Sequence, residues 1–148
     1  MSVEQAFNFR RVDERVSTAG IVTEEQLQCL AGEGYQAVIN LLPDDSQYAV
    51  ASEQHIVEEQ GLRYHYIPVD FTEPTTADFA AFEQAMGELA DQKIMIHCAA
   101  NYRVSAFYSL YACRHLQWSE QRAAEWVVSL WNPDEHPPWS EFIAGHFT

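Results

Sequence analysis

Residues 97–105 read His97-Cys98-Ala99-Ala100-Asn101-Tyr102-Arg103-Val104-Ser105. A thiol and an arginine flank a short run that begins with two alanines. The residues before it, Lys93 to His97, form an apolar run of strand type. Those after it, Arg103 to Leu116, are apolar almost all round, as in a central buried helix. A cysteine that leaves a buried strand and meets a helix N-terminus faces unpaired N–H groups and the positive end of the helix dipole. Such groups favour thiolate over thiol, and they also hold a tetrahedral phosphate. Arg103 adds a planar fork that can grip two phosphate oxygens. The chemistry implied is nucleophilic: Cys98 attacks phosphorus, a cysteinyl-phosphate forms, and water cleaves it. Ala99, Ala100, Asn101 and Tyr102 then bind the phosphate together with Arg103, and His97 orients the loop through hydrogen bonds.

The other two cysteines, Cys29 and Cys113, have no such neighbours and read as small core hydrophobes. There is no C-x-x-C pair, and the spacing of His97, Cys98, His115 and His136 matches no zinc site. No metal and no cofactor are expected.

Positioning these residues requires alternating strands and helices. A short opening stretch holding Phe9, Val12 and Val16 suits one or two edge strands. Thr23 to Ala31 reads as a helix, with Thr23 and Gln26 as a capping box and Gly34 past its end. Ala37 to Leu42 is an apolar run suited to a strand buried on both faces. Gln47 to Gln60 reads as a helix closed by Gly61, and Tyr64 to Val69 as a strand ended by Pro68. Thr75 to Ala90 is an amphipathic helix with Phe79, Phe82, Met86 and Leu89 on one stripe. Ser119 starts a further long helix with Ala123, Trp126, Val127 and Leu130 inward; the tail packs back as a loop and a short helix. The expected fold class is α/β: a three-layer α/β/α sandwich around a mostly parallel sheet of four to five strands, a single domain over 1–148. Ligands in such sheets sit at the carboxyl ends of the strands, here after Leu42, Val69 and His97. Asp44 and Asp45 lie at that same edge.

The strand-His-Cys-loop-Arg-helix order resembles the signature of the protein tyrosine phosphatase superfamily, especially its compact dual-specificity members. The opening also looks like small bacterial tyrosine-phosphatase-like domains, through Ala19-Gly20 and Val38-Ile39-Asn40-Leu41. The superfamily pattern places five residues between cysteine and arginine, then Ser or Thr, and a glycine three residues after the cysteine. This chain has four residues between Cys98 and Arg103. Either the loop is one residue shorter, or Val104 takes the arginine position with Arg103 one place early. The second register is favoured, with Asn101 at the glycine position, since Asn best tolerates left-handed backbone. Ser105 then supplies the hydroxyl that stabilises the leaving thiolate. The resemblance also implies a general acid in the loop after the second buried strand. Asp70 stands there, and Glu73 is the alternative.

Composition narrows the partners. The 148 residues carry 22 acidic against 8 basic side chains, a net charge of −14. That disfavours nucleic acid, which needs a basic face. No apolar run approaches the roughly 20 residues of a membrane helix, and the N-terminus lacks the apolar core of a secretory signal. An odd cysteine count without a signal fits reduced thiols and a cytoplasmic location. The expected function is a cysteine-dependent phosphomonoesterase of the tyrosine or dual-specificity type, acting on a phosphopeptide or a small phosphate ester. The alternative is a catalytically weak or inactive anion-binding module of the same fold, because the Cys-to-Arg spacing is one residue short.

Overall fold

The computed structural model describes residues 2–146. Its five strands are β1 (Arg10–Arg11), β2 (Val16–Ala19), β3 (Ala37–Asn40), β4 (Arg63–Tyr66) and β5 (Ile94–His97). They form one sheet in the order β1-β2-β5-β3-β4, in which only the β1–β2 pair is antiparallel. Six α-helices surround it: α1 (Glu24–Gln28), α2 (Glu53–Glu59), α3 (Thr76–Glu88), α4 (Tyr102–His115), α5 (Glu120–Val128) and α6 (Pro137–His146).

Side-chain alternation along the central strands builds two cores. Val38 and Met95, directly opposite in register, point to one face with Leu27, Ile56 and Val57 from α1 and α2. Ala37, Ile39, Ile94 and Ile96 point to the other, against Phe79, Phe82, Phe107, Val127 and Phe142 from α3 to α6. Strands buried on both faces explain the unbroken apolar runs. Rings on the second face meet edge to face, as in Phe79–Phe107 at 5.4 Å, and losing one such ring costs about 3–5 kcal/mol. The result is the expected three-layer sandwich.

Local signals act where anticipated. Thr23 and Gln26 form a reciprocal capping box on α1, Thr75 caps α3, and Ser119 caps α5. Four readings need correction. β2 is interior, because β1 shields its outer edge. Only Glu53–Glu59 of the stretch from Gln47 is α-helical. Ser46 diverts the chain: its hydroxyl accepts from the Tyr48 N–H and its carbonyl from the Ala49 N–H. The α-helix after Thr23 stops at Gln28, and a 3-10 turn, Ala31–Glu33, completes the segment before Gly34 at φ +91°. Finally α5 has nine residues and the tail helix α6 ten, so the segment read as long is the shorter. Among the described residues no helix is long and apolar enough to cross a membrane.

Candidate active site

β5 sits between β2 and β3, so the chain leaves it at the centre of the sheet's carboxyl edge. Ala19 and Asn40 both pair with His97 there. Residues 98–101 turn the chain, and α4 starts at Tyr102. Asn101 makes the turn at φ +68° and ψ +12°, in the left-handed region. Its amide group locks the position: Nδ2 donates to the Asn8 carbonyl at 2.9 Å and to Thr18 Oγ1 at 2.9 Å.

The loop's carbonyls are all engaged from outside or below. The Ala99 oxygen accepts from Ile21 N–H at 2.8 Å, the Ala100 oxygen from Asn8 Nδ2 at 3.0 Å, and the Asn101 oxygen from Ser105 N–H at 3.0 Å. The Cys98 N–H donates to Ala19 O at 3.2 Å. The N–H groups of Ala99, Ala100 and Asn101 have no partner among the described residues. The loop thus has tied carbonyls and unpartnered amides and runs into the N-terminus of a 14-residue helix, a combination that suits an anion chemically. Gly20 permits this geometry, since a Cβ there would lie 2.6 Å from Ala99 O.

Arg103, in the first turn of α4, turns toward the loop after β4. Its Nε donates to Val69 O at 2.9 Å, and its guanidinium carbon lies 5.2 Å from the Phe71 ring centroid. Both Nη atoms lack a partner among the described residues, so the fork is fixed at its base and open at its tip. Arg103 lines a cleft of about 420 Å³ with Pro43, Asp45, Ser46, Asp70 and Phe71. Asp70 therefore shares the cleft with Arg103. The Thr72 backbone N–H and hydroxyl both bond its carboxylate, at 2.9 and 2.8 Å. These two bonds, then the Arg103 charge, hold Asp70 below the ordinary aspartate value. Glu73 is exposed on the same turn and does not line the cleft.

Cys98 is fully buried, and its sulfur has no hydrogen-bonding partner among the described residues. Ser105 is not beside it in the bonding pattern. The Ser105 hydroxyl donates to Tyr102 O at 3.1 Å and accepts from Trp131 Nε1 at 2.9 Å. His97 Nδ1 approaches the Cys98 carbonyl at 3.4 Å, while its Nε2 meets Glu53 Oε2 at 2.5 Å. Behind Arg103 stands an aromatic wall: Tyr102 stacks on Trp131 at 4.6 Å, and Phe71 packs on His136 and Trp139. The Trp139 indole N–H donates to Phe71 O at 2.7 Å, so the tail braces the acid-bearing loop.

Sequence reasoning missed Glu53, Asn8, Thr18 and the tail tryptophans. One signal for Glu53 existed. It occupies the same stripe as Ile56 and Val57, at helical spacing, and all three are buried. A carboxylate on an apolar stripe demands a partner.

Comparison with known proteins adds the relatives. A 30% identical match over 102 residues joins this chain to the beta-lactamase hydrolase-like protein of Xylella fastidiosa (strain Temecula1 / ATCC 700964). It takes in 67% of this chain but 23% of the relative, so the chain spans about a quarter of that protein's length. A DUF442 protein from Shewanella putrefaciens CN-32 superposes with TM-score 0.88 at 30% identity, covering 98% of this chain and 94% of its own. TpbA of P. aeruginosa, also solved as a cysteine-to-serine variant with phosphotyrosine, superposes with TM-score 0.75 at 15% identity, over 94% and 84% of the two chains. At that identity the likeness is one of fold. The model for the phosphatase-like domain of beta-lactamase hydrolase-like proteins matches residues 8–114, and the chain belongs to that family.

Proposed function

We infer that the protein is a phosphomonoesterase that uses Cys98 as nucleophile. The observation that carries this reading is the loop itself: Ala99, Ala100 and Asn101 keep unpartnered amides while their carbonyls are tied down, and the helix that follows carries in its first turn an arginine with free Nη atoms. In this reading the amides and Arg103 hold the three non-bridging phosphate oxygens. The Cys98 thiolate forms an S–P bond as the P–O bond to the leaving group breaks, and Asp70 gives its proton to the departing oxygen. Water then attacks phosphorus, Asp70 takes a proton back, and the thiolate leaves. Preorganised donors of this kind stabilise the charge that builds in the transition state.

The chain's net charge of −14 repels polyanions at long range. It suits a small phosphate ester, or a phosphopeptide with basic residues near the phosphate. Phosphotyrosine, which TpbA has been solved with, is the natural first substrate, and phosphothreonine peptides test dual specificity. An odd count of three cysteines fits a reducing cytoplasm.

One observation favours a second reading. Cys98 has no solvent exposure, as a residue would in a module that binds anions through loop amides alone. Hydrolysis of p-nitrophenyl phosphate by wild type and Cys98→Ser, with phosphate binding measured by calorimetry, separates the two. Turnover that vanishes in Cys98→Ser establishes the enzyme. Phosphate binding without turnover in either protein establishes the binding module.

A further inference from the structure

Glu53 is a buried carboxylate that the reaction above does not use. Its side chain is 4% exposed, and that of His97 is 2% exposed. His97 is its one hydrogen-bonding partner among the described residues, Oε2 to Nε2 at 2.5 Å. The titratable neighbours are Tyr64 and Tyr66 from β4 and Asp44 from the loop after β3, which with Glu53 line a small cavity of about 80 Å³. Tyr64 accepts from Asn40 Nδ2, and burial followed by the Glu53 charge raises its hydroxyl far above the usual value.

Proton counting limits what the pair can be. The Cys98 carbonyl can only accept, so the 3.4 Å contact from Nδ1 is a hydrogen bond only if Nδ1 carries a proton. The Nε2–Oε2 contact needs one proton between its two atoms. Both bonds are made at once only when the pair holds two protons and no net charge as a unit, whichever atom owns the shared one. That neutrality makes deep burial tolerable. A neutral imidazole on its own has a choice of which nitrogen to protonate, and the group bonded to one nitrogen decides the other.

We propose that Glu53 is a positioning residue. It engages Nε2 of His97, keeps the proton on Nδ1, and so lets His97 hold the Cys98 carbonyl and set the direction in which Cys98 leaves β5. This rests on the reading of Cys98 as the nucleophile.

The test compares wild type, Glu53→Gln and Glu53→Ala. The protonation of His97 is read by NMR of protein with 15N-labelled histidine, assigned with His97→Asn. Turnover of p-nitrophenyl phosphate gives kcat and KM separately. Wild type should carry an exchange-protected proton on Nδ1. The Gln amide can donate to Nε2, so Glu53→Gln should keep that proton and stay within a few-fold of wild type. Glu53→Ala frees Nε2 and the ring, so the Nδ1 proton should lose its exchange protection, with kcat falling about 10²-fold and KM little changed. A bare Nδ1 in wild type overturns the proposal, and that spectrum decides even if Glu53→Ala does not fold. Wild-type kcat in Glu53→Ala overturns it as well. A wild type that hydrolyses nothing, yet carries a protected Nδ1 proton whose protection Glu53→Ala loses, refutes the phosphatase reading and upholds the role of Glu53.

Discussion

Asn101 is tied to Asn8 at the base of the loop that follows β5. The Asn101 side chain donates to the Asn8 carbonyl at 2.9 Å, and the Asn8 side chain donates to the carbonyl of Ala100 at 3.0 Å. Both residues have positive φ, +54° and +68°. The loop's conformation is thus fixed by a segment from the opposite end of the chain, and the left-handed turn at Asn101 is paired with side-chain bonds that glycine could not make.

Substitution at Asn101 should separate these contributions. Asn101→Gly keeps the backbone geometry but leaves the Asn8 carbonyl unpaired and takes the incoming donor from Thr18 Oγ1, which keeps only its own bond to Arg10 O, a loss of about 1–3 kcal/mol. Asn101→Ala adds the steric cost of a left-handed Cβ, roughly 1–2 kcal/mol more. Urea denaturation of the three proteins should order them wild type, Gly, Ala. An alanine variant as stable as the glycine variant would mean that backbone strain is relieved elsewhere.

Gly20 is the tightest contact beneath the loop. A Cβ built there lies 2.6 Å from Ala99 O and 2.9 Å from Ala100 Cα, and both are backbone atoms with little freedom to give. Gly20→Ala should therefore displace the loop, destabilise the fold by about 1–3 kcal/mol through overpacking, and lower turnover about 10²-fold through misplacement. The check is thermal unfolding together with p-nitrophenyl phosphate kinetics. Unchanged kinetics in a folded Gly20→Ala protein would disconnect the loop from catalysis.

What the sequence made legible was local. The double-sided strand Ala37–Asn40 declares itself by an apolar run, and α3 by its aromatic stripe and Thr75 cap. Asn101 was legible because few residues accept its backbone geometry. The braces were not, because they join residues far apart in sequence. Asn101 reaches Asn8 over 93 positions and Thr18 over 83, and Ser105 meets Trp131 over 26. No periodicity or spacing encodes such a pair. Glu53 was hidden differently. It is one of 22 acidic residues, in a segment where the polar residues from Gln47 onward looked helical until Ser46 set a turn.

Asp70 gives a prediction in pH. The Thr72 N–H, the Thr72 hydroxyl and Arg103 favour its carboxylate, so its folded value lies below the usual 3.8. A depressed acid stabilises the fold above its unfolded value, and that contribution is lost as pH falls through the lower folded value. At neutral pH the carboxylate dominates. If Asp70 donates the proton, turnover must decline with rising pH as its protonated form is depleted. Thr72→Val removes the hydroxyl bond, raises the Asp70 value toward normal and should move that decline to higher pH. Asp70→Asn should lower kcat about 10²–10⁴-fold and flatten the decline. A profile that flattens in Glu73→Gln and not in Asp70→Asn would transfer the role to Glu73.

Arg103 decides between a clamp and a strut. Its Nε bond to Val69 O and its position over Phe71 could serve only to pin the loop after β4. Its free Nη atoms in the cleft argue for more. As a clamp, Arg103 pairs two Nη donors with two phosphate oxygens, and the interaction strengthens as charge moves onto those oxygens in the transition state. Arg103→Ala should then cost about 10²–10³ in turnover. Arg103→Lys should recover little, because an ammonium offers a point charge in place of a fork and cannot also reach Val69 O with an Nε. As a strut, the residue acts through the loop alone, and Arg103→Lys and Arg103→Ala would each lose stability with turnover kept within a few-fold. Measuring aryl phosphate hydrolysis and phosphate affinity in both variants, with unfolding followed in parallel, distinguishes the two. The clamp requires phosphate affinity and kcat to fall together in a protein whose stability is little changed.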